Sequence, residues 1–391
     1  MNRSITILTG ILLSLTVAPV FATVSHVFVS NASDSTMSVI KCMTFEGKSK
    51  DGITCEEKER VDVGFGTSWP ANQYDGHAAW WWTGMSGFIR GLKTSATLSS
   101  LNAPGSIVDV DTYVLPGRPD LGANFIGIMP DGRTAWNSAR EVDRIQEIDT
   151  DPDSPTFGTI LTSIPVPDLD PDSGATDTRG AARPCDATIT PNGRWFLEPD
   201  LWGESVTVVD TEVKDIIWQL NSPQLDPSEK VLPFMATTNG EIVVVENFEA
   251  PTGTYDIWDV SVLPNEPVYE KKLTSADGLG VGPQTSEFTS DGKYAYLIMN
   301  GLADDGTLPF GQQSRIDVLD VDKSSPTYLD IVDHIALPTN CGARTGDFSN
   351  DGRYFFINCQ RIDKVAVIDS AVHQTVLDVA VGDGPRGIIV K

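Results

Sequence analysis

A tight turn on Asp-Gly or Asn-Gly recurs five times between two apolar-alternating strands: IGIMPDGRTAWNSA, ATITPNGRWFLEP, MATTNGEIVVVEN, SEFTSDGKYAYLIM and GDFSNDGRYFFINC. The turn glycines are Gly132, Gly193, Gly240, Gly292 and Gly352. Such dipeptides tolerate the positive φ of a hairpin turn, and alternation with period two on both sides marks antiparallel strands. Each unit therefore reads as a hairpin. A third strand ending in Asp follows most of them (ESVTVVD, SRIDVLDVD, DKVAVIDS), then a fourth such as DIIWQL or TVLDVAV. Four short strands repeating at roughly 45 to 60 residues are what a propeller blade requires, because stacked sheets bury both faces against their neighbours.

The chain closes with GPRGIIVK, which reads as a first strand with nothing after it, while SHVFVSN and STMSVIKC near the start read as a unit lacking its first strand. Zipping the two together leaves no open sheet edge. With this composite unit and a divergent one from about Trp69 to Pro116, the expectation is all-β: a seven-bladed β-propeller of four-stranded antiparallel blades, its ring closed by pairing of the N- and C-terminal strands. KVAVIDSAVHQTVLDVAVGDGPRGIIV and SVTVVDTEVKDIIWQL resemble the YVTN-repeat family of propellers, whose eponymous strand has counterparts in FFIN and AYLIMN. The resemblance runs from Gly122 to Lys391. It implies the scaffold and a circle of relatives that includes bacterial surface proteins, chains like the methylamine dehydrogenase heavy chain, and lactonase-like enzymes; fold does not imply function.

Residues 1–22 have the pattern of a secretory signal: a basic start at Arg3, an apolar run from Ile5 to Val17, and small residues around a cut after Ala22. A single propeller domain is expected over residues 23–391, periplasmic or secreted, with no later apolar stretch of the roughly 20 residues that a membrane span needs. Export makes the five cysteines disulfide candidates. Cys42 with Cys55 and Cys341 with Cys359 are the expected pairs, other pairings remaining open, and Cys185 is left over. The formal charge of −26 repels phosphate backbones, so nucleic acid is excluded as a partner. There is no C-x-x-C-H, H-E-x-x-H, Walker, G-x-S-x-G or G-x-G-x-x-G motif.

Eight residues before four of the turn glycines stand Asn124, Cys185, Gln284 and Arg344, and the unfinished last strand adds Arg386. These are expected on one rim of the channel, with His77 contributed by the divergent unit and Glu287 and Asp347 three residues deeper. Such polar groups could hold a small anion or a carbonyl oxygen; hydrated channel lining is the plainer reading. Binding of a small molecule or of another exported protein at the rim is the expected function. The alternatives are a propeller enzyme and a metal-binding protein. The enzyme would be a lactonase-like hydrolase or a subunit of a periplasmic dehydrogenase, with Glu287 or His77 as base and the arginines as electrophilic stabilisers. Calcium is the one metal cofactor the spacing suggests, at Asp168, Asp170, Asp172 and Asp177, although Ser173 and Arg179 stand where a calcium loop wants Gly and Glu. Asp149, Asp151 and Asp153 form a similar row. Copper on His77, Cys185 and Met235 lacks a ligand spacing, and a buried, inert thiol is the stronger reading of Cys185. Trp80, Trp81 and Trp82 suggest core packing before sugar stacking.

Overall fold

The computed structural model describes residues 21–46, 52–62, 69–70, 80–85, 88–94, 107–113, 123–151, 153–167, 182–221, 223, 231–247, 253–301 and 313–390. Its strands form four-stranded antiparallel sheets, and the described residues contain no α-helix. The Gly352 unit is representative. Its strands Ala343–Phe348, Tyr354–Cys359, Lys364–Asp369 and Gln374–Ala380 pair in chain order. The Gly132, Gly193, Gly240 and Gly292 units follow the same plan. Strands Trp69–Pro70, Trp80–Met85, Phe88–Thr94 and Ile107–Tyr113 pair likewise in the divergent segment.

The middle strands explain the order of stacking. In Tyr354–Cys359, Phe355 and Ile357 pack with Tyr296, Ile298 and Ile316 of the Gly292 unit, whereas Tyr354 and Phe356 pack with Val27, Val29 and Ile40 near the N-terminus. Successive side chains leave a strand on opposite faces, so both faces of this sheet are core. All six residues of that strand are buried.

The turns keep the expected glycine geometry but use the preceding residue differently. Gly132, Gly193, Gly240, Gly292 and Gly352 have φ of 67°, 73°, 96°, 69° and 69°. The Asp or Asn before each stays out of the left-handed region and contributes its side chain instead: Asp351 Oδ1 accepts Arg353 N at 3.1 Å and Ser349 Oγ at 2.5 Å. With Gly352 N donating to Ser349 O at 2.7 Å, this is a turn with glycine in fourth place, not a loop with two left-handed residues. The Asp ending each third strand has a similar task. Asp320 Oδ1 accepts Asp322 N at 3.0 Å, and its Oδ2 accepts Thr327 Oγ1 at 2.6 Å and the hydroxyl of Ser325. Asp149 repeats this with Asp151 N, Ser154 Oγ and Thr156 Oγ1. The row at Asp149 is turn structure, and no His, Cys, Asp or Glu group among the described residues could hold a metal.

Strand Pro385–Val390 pairs antiparallel with Phe21–Asn31, in the register Val27 with Val390 and Val29 with Ile388. The partners continue through Thr36–Glu46 to Gly52–Asp62. Phe21 and Ala22 of the expected leader begin that strand, and residues 1–20 lie outside the described ones.

Both expected disulfides are formed. Cys42 and Cys55 are direct cross-strand partners, and Cys341 bonds Cys359 across 18 residues. Replacing Cys341 and Cys359 together by Ala is expected to lower stability by about 3 kcal/mol, through the freed entropy of that loop in the unfolded chain. A lower urea midpoint in the variant than in the oxidised parent would show it; identical midpoints would refute it.

Candidate functional site

The first strands of the units converge on a central cavity of about 320 Å³. Asp186, Glu287 and Asp347 line it, with the hydroxyls of Thr188, Thr237, Thr285, Ser286 and Thr345. The pairing of these strands breaks near their starts, between Ala343 and Gly346, Pro283 and Ser286, and Ala123 and Phe125. Such bulges re-aim side chains where pairing stops. They fall on the segments that hold Arg344, Gln284 and Asn124.

Neighbouring strands lace one another at this level. Thr285 Oγ1 donates to Arg344 O at 3.2 Å, and Thr345 Oγ1 donates to Arg386 O at 2.9 Å. Asn358 ends the FFIN strand and fixes Thr345 from the other side: its Nδ2 donates to Thr345 Oγ1 at 2.7 Å, and its Oδ1 accepts Thr345 N at 3.1 Å. The arginine backbones are thereby anchored independently of anything their guanidiniums meet.

Three guanidiniums, those of Arg344, Arg140 and Arg386, act on one carboxylate, Asp186, which is 5% exposed. Burial pushes Asp186 up to about 7 against their pull. Burial and the like charge of Arg386 bring Arg344 down to about 10, and burial lowers Arg386 as well. The Nε atoms of all three arginines are buried without a hydrogen-bond partner. Buried guanidinium donors left unpaired are costly, and an acceptor-rich anion is the chemistry that would satisfy them.

Deeper in the cavity, Asp347 Oδ2 accepts Val390 N at 2.7 Å and its Oδ1 accepts Phe348 N at 2.8 Å. Burial and the charge on Asp347 push Glu287 up to about 8. A carboxyl raised in this way binds a proton in the fold that the unfolded chain releases near its ordinary value of 4.5. The contribution of Glu287 to stability is therefore whole below that value and is lost as pH rises through about 8. Glu287→Gln is expected to flatten the fall of melting temperature between about pH 5 and pH 9. An unchanged fall would refute this sign.

Of the residues singled out in the sequence, Glu287 and Asp347 line the cavity, whereas Arg344, Arg386 and Gln284, each second in its strand, do not, nor does Arg140. Cys185 does not line it. Its thiol is buried, burial raises it further, and its backbone N donates to Glu198 Oε1 at 2.7 Å. Asp186, one residue on, takes that place because this unit holds the segment by isolated bridges, Pro184 to Asp200 and Asp186 to Met235. Met235 is buried beside it. Arg140, in the turn after Thr134–Ala139, was not foreseen; its only signal is a cation directly after a first hairpin. His77, the calcium candidates Asp168, Asp170, Asp172 and Asp177, and the side chains of Asn124 and Trp80 to Trp82 lie outside the described residues.

Four-stranded antiparallel sheets stacked face to face around a polar cavity define the class: this is a β-propeller. A candidate 6-phosphogluconolactonase from Bacteroides uniformis superposes with a TM-score of 0.66 at 12% identity, over 94% of this chain and 99% of that one. The periplasmic gluconolactonase of Pseudomonas aeruginosa gives 0.63 at 14%, over 94% and 99%. Hydrazine synthase of Kuenenia stuttgartiensis gives 0.56 at 13%, over 82% and 88%. At these identities the likeness is one of fold. No protein-family model matches the sequence, nor does any curated protein.

Proposed function

We propose that the protein is an exported, seven-bladed propeller hydrolase whose channel mouth opens a small anionic lactone. The three arginines gathered on Asp186 carry this reading. The lactonase-like neighbours favour it over binding alone. Seven blades and a closed ring are supported by the pairing of Pro385–Val390 with Phe21–Asn31. The strand Trp69–Pro70 also lies beside Pro385–Val390, and Trp80–Met85 beside Ala123–Ile128. The two disulfides suit an oxidising compartment, in keeping with a leader removed after Ala22.

The chemistry follows from the charges. Ionised Asp186 takes a proton from water as the water oxygen adds to the lactone carbonyl, and guanidinium N–H groups hold the oxyanion. The ring C–O bond then breaks, the leaving oxygen recovers the proton from Asp186, and a hydroxy acid remains. A base with its transition near 7 predicts turnover that rises with pH through about 7 and levels above it. Titrating acid release from glucono-δ-lactone and from a phosphorylated lactone across this range is the test. Capture of the corresponding hydroxy acid without turnover of either lactone would return the protein to a binding role, for a small molecule or another exported protein, which the same unpartnered Nε atoms also suit.

A further inference from the structure

Below the mouth, one level of the cavity divides its chemistry between two sides. The residue four places after each turn glycine pairs across its hairpin with a first-strand residue: Trp136 with Gly127, Leu197 with Thr188, Val244 with Thr237, Tyr296 with Glu287 and Phe356 with Asp347. All five of these first-strand residues line the cavity. Taken in chain order they read as bare backbone at Gly127, hydroxyls at Thr188 and Thr237, and carboxyls at Glu287 and Asp347. At Gly127 the wall is apolar, since a methyl group there would lie 2.9 Å from both Ile189 Cδ1 and Phe125 Cζ. We propose that this level binds a small primary ammonium compound with a hydrocarbon body, its –NH3+ between Glu287 and Asp347 and its body against Phe125 and Ile189.

The lining sets this class of ligand apart from others. Among the described residues that line the cavity, three carry carboxyl groups and none is basic, so an anion is repelled here. Asp186, two residues before Thr188, feels the arginines of the mouth, whereas the charge acting on Glu287 is that of Asp347. With a proton held on Glu287 by burial and that charge, the pair carries one negative charge, which one ammonium balances. A cation leaving water must be paired and hydrogen-bonded. Its three N–H donors find carboxyl oxygens on one side and, next along, the hydroxyl of Thr237, which is itself hydrogen-bonded to Ser286 Oγ. A metal ion would need oxygen ligands all round, which the apolar side does not supply. A hydrocarbon body instead gains by leaving water against that side. None of this depends on what the arginines at the mouth bind.

The test is calorimetric titration of the full chain near neutral pH with cyclohexylammonium chloride and with cyclohexanol, which share a ring and differ in charge. Cyclohexylammonium is expected to bind at a single site, and cyclohexanol roughly tenfold more weakly or less, for want of charge-assisted hydrogen bonds. Potassium chloride at the same concentration should not displace the amine. Glu287→Gln and Asp347→Asn each leave one carboxyl group and should weaken binding, and the two together should abolish it. The comparison of the three probes on the unaltered chain decides the matter even if the double variant folds poorly. No saturable binding of cyclohexylammonium, equal binding of cyclohexanol, displacement by potassium, or unchanged binding in a folded double variant overturns the proposal. Lactone turnover is a separate readout: its presence or absence alters none of these outcomes, and their failure leaves the hydrolase reading standing.

Discussion

A chain ending at Gly384 is expected to lose its cooperative fold. The lost strand, Pro385–Val390, buries Ile388, Ile389 and Val390 to 6%, 6% and 4% exposure. Three aliphatic side chains at roughly 2 kcal/mol each approach the whole stability of an ordinary domain, about 5 to 15 kcal/mol. The damage extends beyond burial. Val27 to Asn31 would present an unpaired edge, Asp347 would lose the N–H of Val390, and Thr345 would lose the carbonyl of Arg386. Because the Gly352 sheet buries one face against this one, the loss should spread rather than fray. Thermal melting followed by circular dichroism is the measurement. A sharp transition within a few degrees of the intact chain would mean that the terminal pairing does not hold the ring, and the proposed closure would fall with it.

That dependence was legible in the residues, since GPRGIIVK lacks partners of its own and the early strands lack a first member. Turn glycines and alternation are local signals, set by backbone sterics and by the two faces of a strand, so one sequence displays them. The site is legible only as far as it inherits the repeat. Counting back from the turns puts Arg344, Glu287 and Asp347, and the match of the last strand puts Arg386, at equivalent places in their strands, and of these Glu287 and Asp347 line the cavity. Asp186 escaped that count by one position, where regular pairing gives way to isolated bridges. Arg140 escaped it entirely, being delivered by a turn that the other repeats do not specify. The Asn of FFIN shows the opposite case: it stood out as a family-like letter, and its physical task, clamping Thr345 behind the arginines, needed three dimensions to see.

Arg344→Met is expected to lower kcat/KM for an anionic lactone by roughly 10² to 10³, the scale for losing one preorganised donor to a developing oxyanion. Methionine keeps much of the apolar stem and removes the charge, and the anchoring hydrogen bond from Thr285 goes to the backbone carbonyl, which the substitution retains. Loss of rate should therefore arise with little change in melting temperature. A second consequence separates electrostatics from mere disturbance. Arg344 heads the interactions that hold Asp186 down against its burial. Without it the carboxyl moves above about 7, so the rising limb of the pH-rate profile shifts to higher pH. Arg386 still acts on Asp186 and takes over part of the anion, so adding Arg386→Met should cost more than its single variant alone. A rate loss with the limb unmoved would assign Arg344 to packing. An unchanged rate and an unchanged limb would take the hydrolytic site away from this mouth of the channel altogether.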